Sequence, residues 1–201
     1  MSNRSIHTLL KNWDEECPLT REEAVEVLSL PEEEMDSLME CAYALRTKYK
    51  GKKVSVQLLT NVRSGNCTQN CAYCAQSKDS QAEIEKYKRV SDEKLYGDND
   101  LVDEKHLARH CIGLSGIGFS DEEIEDLADR IREMKKKDTQ ICCSIGFLTE
   151  KQARILKDAG LDRINHNLNS SRSFYPEICT THTYDQRVNN IKICLLYTSP
   201  S

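Results

Sequence analysis

The stretch QICCSIGFLTEKQARILKDAGLDRINHNL, residues 140–168, has the pattern of a strand, a helix and a second strand in succession. The apolar run QICCSIGF is typical of a buried strand. Thr149 and Gln152 then form a capping box for a helix that ends at Gly160. LDRINHNL returns to a strand pattern. This order predicts two parallel strands joined by a right-handed crossover.

The same alternation extends toward the N-terminus. VSVQLLTNV (54–62) and RHCIG (109–113) are strand candidates, and Ser120 with Glu123 caps a further helix. Tyr184 begins another helical pattern. The stretch between the first two strands could contain one crossover helix. Its apolar residues are few and scattered: Leu95, Leu101, Val102 and Leu107.

Four parallel strands with about three following helices place the chain in the α/β class. A closed (β/α)8 TIM-type barrel takes about 250 residues, so 201 residues predict a partial barrel of about its first half, or an open sheet. Residues 1–50 are predicted as an N-terminal helical segment and 51–193 as the barrel core. The tail CLLYTSPS (194–201) resembles translated adapter sequence and is predicted to be non-native.

Two helices are predicted within the N-terminal segment. Thr20 and Glu23 form a capping box for the first. The second carries apolar residues at three- and four-residue spacing, which predict one buried stripe: Met35, Leu38, Met39, Ala42 and Leu45.

Composition excludes several classes of protein. Lys plus Arg total 28 against 33 Asp plus Glu, so a net charge of −5 gives no basic footprint for nucleic acid or an anionic membrane. No apolar run approaches the ~18 residues of a membrane span, and the start of the chain lacks a signal-peptide pattern. We therefore expect a cytoplasmic protein, in which ten cysteines indicate metal ligation or catalysis more than disulfides.

Alternate strand residues face opposite sides of a sheet. Ile141, Cys143 and Ile145 are predicted to face the helices, so that Cys142 and Ser144 point into the barrel. In the last strand the polar positions are odd-numbered: Arg163, Asn165, Asn167 and Asn169. Such amides need partners, which a polar ligand or solvent at a strand end would supply. Cys111 shares the predicted inward direction of Cys142, and the pair suggests a second metal centre.

The loop GNCTQNCAYCAQS, residues 65–77, carries Cys67, Cys71 and Cys74 after the first strand. Barrel enzymes build their sites at this end of the sheet. A closed zinc site needs a fourth ligand, and neither Cys179, Cys41 nor Cys17 is placed near the loop by sequence. Thiolates are the usual ligands of iron–sulfur clusters, and three of them leave one iron of a four-iron cluster open.

The spacing Cys-x3-Cys-x2-Cys, with Tyr73 before the last cysteine, resembles the cluster loop of the radical S-adenosylmethionine (SAM) superfamily. RHCIG, CAYCAQS and the segment 141–188 further resemble the biotin synthase family. The resemblance implies a [4Fe–4S] cluster on the three loop cysteines and an auxiliary cluster, [2Fe–2S] or another type, on Cys111 and Cys142. The implied SAM contacts are Tyr73, Gln76, Asn167, Asn169 and Arg187, and the implied substrate contacts are Asn165 and Asn167.

The implied reaction is radical sulfur insertion into dethiobiotin, the last step of biotin formation. A flavodoxin or ferredoxin would donate electrons, and the full-length enzyme would be a homodimer. Three departures from the family stand out. Asn169 replaces the Asp of many members. The third cysteine of the auxiliary cluster and the arginine that also ligates that cluster are absent. Cys194 does not stand in the expected sequence CSGG.

Two other functions fit the motifs. A related radical SAM enzyme could act on another small substrate, since enzymes of hydrogenase maturation and methylornithine formation share the cysteine loop. A non-catalytic zinc or iron–sulfur binding module could hold its metal through the loop and one distant residue. A last alternative is an inactive chain, because half a barrel leaves a strand edge unpaired, which invites aggregation.

Overall fold

The computed structural model describes residues 19–197, and the chain forms two compact units, Met1–Val54 and Ser55–Ser201. The first contains helix α1 (Arg21–Leu28), a 3-10 turn (Glu32–Glu34) and helix α2 (Met35–Lys50). The predicted capping box of α1 is confirmed. The backbone N–H of Glu23 donates to Thr20 Oγ1 at 3.2 Å, and the N–H of Thr20 donates to Glu23 Oε2 at 2.8 Å.

The predicted burial of the α2 stripe is wrong. Met35 is 44% exposed and Met39 61% exposed, while Leu38 and Leu45 are half-buried. Apolar spacing predicts that a helix has an apolar face, but it does not supply an element that covers that face.

The second unit alternates strands and helices along the chain. Its strands are β1 (Gln57–Arg63), β2 (Arg109–Leu114), β3 (Ile141–Ser144) and β4 (Arg163–Asn165). Its helices are α3 (Asp92–Glu104), α4 (Asp121–Met134), α5 (Glu150–Asp158), the single-turn α6 (Tyr175–Ile178) and α7 (Tyr184–Tyr197).

The strands form one parallel sheet in the order β1-β2-β3-β4, with a helix in each crossover, so the predicted partial TIM-type barrel is confirmed. Strand β1 starts at Gln57, three residues after the predicted start at Val54. The crossover helix α3 lies where the apolar pattern was weakest. Its Leu95 and Val102 are buried, whereas Leu101 is 39% exposed.

The core lies between the sheet and helices α3, α4, α5 and α7. The capping boxes predicted for α4 and α5 are both present, and they fix where each helix begins after its strand. One side of every strand and the apolar faces of the helices are buried together, including Ile112, Ile124, Ile131, Ile141, Leu156 and Ile164. The opposite side of the sheet is left for polar residues.

Helix α7 continues to Tyr197, and Cys194 is buried in the core, so the helical pattern does not break at residue 194. Residues 198–201 lie outside the described part, and the proposed non-native origin of the tail stays a prediction, as does the division at residues 50 and 193. Among residues 19–197, no helix has the length and apolar character needed to cross a membrane.

Gly146, just after β3, is predicted to tolerate no side chain. A Cβ there would collide with the carbonyl group of Ile117, whereas a Cβ at Gly118 would meet nothing within 4 Å. We expect Gly146→Ala to lower the free energy of unfolding by about 1–3 kcal/mol, the usual cost of overpacking, and Gly118→Ala to change it little. Urea unfolding of both variants measures the difference. Equal effects of the two substitutions would contradict this close packing.

Candidate functional site

The strand register arranges the polar side of the sheet in two rows. Leu59, Cys111, Cys142 and Arg163 are register partners in the first row. The second row lies nearer the carboxyl ends of the strands and contains Asn61, Gly113, Ser144 and Asn165. Side-chain alternation is as predicted, because Ile141, Cys143 and Ile145 belong to the core on the other side.

A cavity of about 330 Å³ opens at the carboxyl end of the sheet, above the second row. The cysteine loop and the segment after β4 form its walls. Nine of the residues singled out in the sequence line it: Cys67, Cys71, Tyr73, Cys74, Gln76, Asn165, Asn167, Asn169 and Arg187. Cys111 and Cys142 do not line the cavity and lie in the row below it.

Gln76 closes the cysteine loop onto the end of β1. Its Oε1 accepts a hydrogen bond from the backbone N–H of Gly65, and its side chain lies 3.4 Å from Ser64 Oγ. Gly65 and Asn66 adopt positive φ angles of 71° and 54°, which turn the chain sharply out of the strand. The loop thus leaves β1 in a fixed direction and returns to its end.

Arg187, from α7, joins the loop to the segment after β4. Its Nη1 donates to the carbonyl oxygen of Asn167 at 3.0 Å, and its Nη2 donates to the Tyr73 hydroxyl at 3.2 Å. Nε donates to the hydroxyl of Tyr175, and Asn169 Nδ2 also donates to the Tyr73 hydroxyl. One guanidinium therefore links the cysteine loop, the segment after β4 and helix α6.

Two histidines of the cavity lining are neutral at physiological pH. Burial lowers the pKa of His166 to about 4, and the charge of Arg187 acts in the same direction. Burial also lowers the pKa of His182 to about 4. Nε2 of His166 is buried without a hydrogen-bond partner among the described residues. A buried ring nitrogen without a partner is expected in a cavity that binds a polar ligand, because the ligand would supply the missing hydrogen bond.

The structure brings a further cysteine, Cys179, to the loop. Its Sγ lies 3.8 Å from that of Cys71 and 3.2 Å from His182 Nδ1. Burial, and next the neighbouring Cys179, raise the pKa of the Cys71 thiol to about 11. Burial also acts to raise the pKa of the Cys179 thiol, but hydrogen bonds from Thr181 and from the backbone of His182 outweigh it and lower that pKa.

Sequence reasoning did not place Cys179 near the loop. The available signal was the spacing Cys-x2-His in CTTH, residues 179–182. Cys41 lies in α2 of the first unit, and Cys17 lies outside the described residues.

Cys111 and Cys142 are direct register partners on neighbouring strands and are both buried. Cys111 Sγ donates to Gln57 Oε1 at 3.1 Å. Burial, and next the charge of Cys111, raise the pKa of the Cys142 thiol to about 12, against the opposing charges of Arg109 and Arg163. Arg163 occupies the same row, so two thiols and a guanidinium share one side of the sheet.

The donor set of the cavity fits an iron–sulfur cluster. Three thiols line one wall, and the lining residues within the described range 19–197 include no carboxylate. Thiolates are the ligands that iron–sulfur clusters use, whereas hard cations such as Mg²⁺ and Ca²⁺ prefer carboxylates. Cys67 and Cys74 are partly exposed to the cavity, and the nearby Arg187 is a suitable neighbour for an anionic group.

Comparison with known proteins assigns the chain to a class. The family model of the radical SAM superfamily matches residues 61–200. The chain therefore belongs to the radical SAM superfamily.

Its relatives are more particular. It is 40% identical over 175 residues to the biotin synthase of Geobacillus kaustophilus (strain HTA426), covering 87% of this chain and 53% of the relative. It is 41% identical over 176 residues to the biotin synthase of Bacillus subtilis (strain 168), covering 87% of this chain and 52% of that relative. The resemblance to biotin synthases is thus confirmed, and the chain spans about half the length of these relatives.

Solved structures support the fold. A crystal structure of methylornithine synthase superposes with a TM-score of 0.79 at 16% identity, covering 94% of this chain and 55% of the other. The FeFe-hydrogenase maturase HydG from Carboxydothermus hydrogenoformans gives a TM-score of 0.74 at 20% identity, covering 89% of this chain and 42% of the other.

Arg187→Met is expected to loosen the cavity wall. It removes the three hydrogen bonds described above, so the free energy of unfolding should fall by about 1–3 kcal/mol. Hydrogen exchange of the loop 66–76 should become faster. The matched control is Arg172→Met, because Arg172 makes an exposed ion pair with Asp185, and such pairs contribute about 1 kcal/mol or less. Unchanged exchange in the Arg187 variant would mean that the loop does not depend on this cross-link.

Proposed function

We propose that the chain forms the first part of a radical SAM enzyme that inserts sulfur into dethiobiotin. The observation that carries the proposal is the meeting of the cysteine loop and the asparagine-bearing segment after β4 around one cavity. The similarity to biotin synthases over 87% of the chain supports this substrate in preference to others. Because the chain spans about half of those relatives, substrate and activity are properties of the longer enzyme.

Cys67, Cys71 and Cys74 would hold the [4Fe–4S] cluster. When bound, that cluster supplies the electron that cleaves SAM to give a 5'-deoxyadenosyl radical. Cys111 and Cys142, one row below, would be two ligands of the auxiliary cluster that provides sulfur. The separation of the two thiol sets supports this division, because the loop cysteines line the cavity whereas Cys111 and Cys142 lie in the first row of the sheet, below it.

The remaining residues would bind and orient. Tyr73, Gln76, Asn169 and Arg187 line the cavity close to the loop and would contact SAM, together with Asn167. Asn165 and Asn167 project from the end of β4 and would hydrogen-bond the polar groups of dethiobiotin. The sheet and the loop enclose the cavity on two sides, and exclusion of water protects a reactive radical from side reactions.

The wider setting follows from the same proposal. A flavodoxin or ferredoxin would donate the electron, and the longer enzyme would be a cytoplasmic homodimer. The net charge of −5 supports the absence of a nucleic-acid or membrane partner.

The cysteine loop is tested by electron paramagnetic resonance on the anaerobically reconstituted, reduced chain. We expect a [4Fe–4S]+ signal that changes when SAM is added, because an open iron can bind the cofactor. Cys67→Ser should abolish it, since Cys67 is one of three ligands, whereas the control Cys41→Ser, in the first unit, should keep it. The absence of a signal from folded, soluble chain would refute the radical SAM assignment of the loop.

The sulfur-insertion step is tested in a protein that carries these residues and is extended to the length of the relatives. Cys142→Ala should stop biotin formation while SAM cleavage continues, because the two thiol sets are separate. Cys143→Ala is the matched control, since that neighbouring thiol faces the core and should leave both activities in place. Biotin formation at the parental rate in the Cys142 variant would disprove the auxiliary-cluster role.

The same experiment addresses the alternative of a related radical SAM enzyme. Such an enzyme would share the SAM-responsive signal but would form no biotin from dethiobiotin. The alternative of a metal-binding module is favoured by one specific observation, the nearness of Cys179 and His182 to Cys71.

A further inference from the structure

Three metal-ligating side chains converge behind the cysteine loop. The ligand atoms of Cys71, Cys179 and His182 all lie within 4.8 Å of one another, and all three residues are buried. The Cys71 and Cys179 sulfur atoms are 3.8 Å apart, and the Cys179 sulfur lies 3.2 Å from His182 Nδ1. Cys67 and Cys74 do not belong to this group.

These distances fit one tetrahedral ion. With Zn–S bonds of about 2.3 Å and tetrahedral angles, two sulfur ligands lie about 3.8 Å apart. With a Zn–N bond of about 2.0 Å, sulfur and nitrogen lie about 3.5 Å apart. The measured separations for Cys179 are 3.8 Å to Cys71 and 3.2 Å to His182 Nδ1. Both Cys179 separations therefore lie within a few tenths of an ångström of the values for a bound ion, and the ligand atoms of Cys71 and His182 lie within 4.8 Å of each other.

Hydrogen bonds hold the two segments together before any ion binds. The backbone N–H of Ala72 donates to the carbonyl oxygen of Ile178 at 2.9 Å. Asn70 Oδ1 accepts from the N–H of Thr180 at 3.1 Å, and Asn70 Nδ2 donates to Thr180 Oγ1 at 2.7 Å. A preorganised ligand set loses little conformational entropy when it binds, which favours affinity.

The fourth coordination position is also provided for. The side-chain oxygen of Asn70 lies 3.5 Å from Cys179 Sγ, and that of Gln69 lies 3.0 Å from His182 Nδ1. Asn70 Oδ1 already accepts hydrogen bonds from the backbone N–H groups of Thr180 and Thr181, so the Gln69 oxygen or water would complete the set. Two cysteines, one histidine and an oxygen ligand are a known zinc combination.

We propose that Cys71, Cys179 and His182 bind one zinc-type divalent ion at a site distinct from the ligand set Cys67, Cys71 and Cys74. The two sites share Cys71. An ion bound by Cys179 and His182 therefore competes with cluster assembly on the loop. The competition rests on the proposed function, whereas the ion site itself does not.

The test is a titration of the full chain, kept anaerobic and reduced by a phosphine, with Co²⁺ and then with Zn²⁺. We expect one ion per chain, with thiolate-to-cobalt absorption. X-ray absorption of the zinc-loaded chain should give two sulfur neighbours and one imidazole nitrogen. A result of three sulfur neighbours would place the ion on the loop cysteines and overturn the proposal.

Variants separate the two sites. Removal of a residue that hydrogen-bonds a metal ligand lowers metal affinity by about 10–100-fold. Removal of a ligand itself should cost more, so Cys179→Ser and His182→Asn should weaken Zn²⁺ binding by at least about 100-fold. Cys67→Ser and Cys74→Ser should leave the affinity within about threefold. Cys41→Ser and the exposed His106→Asn are matched controls for a lost cysteine and a lost histidine.

Iron–sulfur reconstitution of the same variants should show the reverse pattern. Cys179→Ser should still assemble a cluster and should do so even with Zn²⁺ present, whereas Zn²⁺ should inhibit assembly in the parent chain. If the variants show the expected changes in Zn²⁺ affinity but no chain assembles a cluster, the proposed function is refuted and the ion site is supported. The ion site would be overturned if the folded parent chain assembled a cluster but bound no Zn²⁺. It would also be overturned if the Cys67 and Cys179 variants lost Zn²⁺ affinity equally.

Discussion

Side-chain alternation along four parallel strands is the constraint on which the rest of the molecule depends. Cys142 and Cys143 are adjacent in sequence, yet one lies in the polar row beside Cys111 and the other in the apolar core. A shift of one residue in register would exchange them and would send Ile141 to the polar side. The buried apolar side chains that face the helices therefore fix the register, and the register in turn places Cys111, Cys142 and Asn165 on the opposite side.

The cavity is then completed by contacts between segments far apart in the chain. Gln76 closes the cysteine loop on itself, Asn70 binds it to Thr180 and Thr181, and Arg187 joins it to the segment after β4. Amide side chains suit this task because their oxygen accepts and their nitrogen donates hydrogen bonds, and the Arg187 guanidinium can donate several in fixed directions. The sheet supplies the position of the loop, and these polar cross-links supply its shape.

Local signals were enough to predict most of this fold. The capping box at Thr149 and the apolar alternation of β3 depend on neighbours in sequence, so both could be read directly. Burial of Met39 depends on whether another element covers it, and the apolar spacing carries no such information. The approach of Cys179 and His182 to Cys71 could not be predicted either, because it depends on the path of the chain from β4 through α6 back to the loop.

Charge distribution gives the site its chemical character. The amides that line the cavity are neutral, and burial keeps His166 and His182 uncharged. Among the lining residues that the structure describes, Arg187 is therefore the only charged side chain until the thiols lose their protons. Asn169 adds an amide to the lining and no charge. Because the described lining residues include no carboxylate, the thiolates and imidazole would be the main ligands of a metal in the cavity, and they favour softer metals over hard cations.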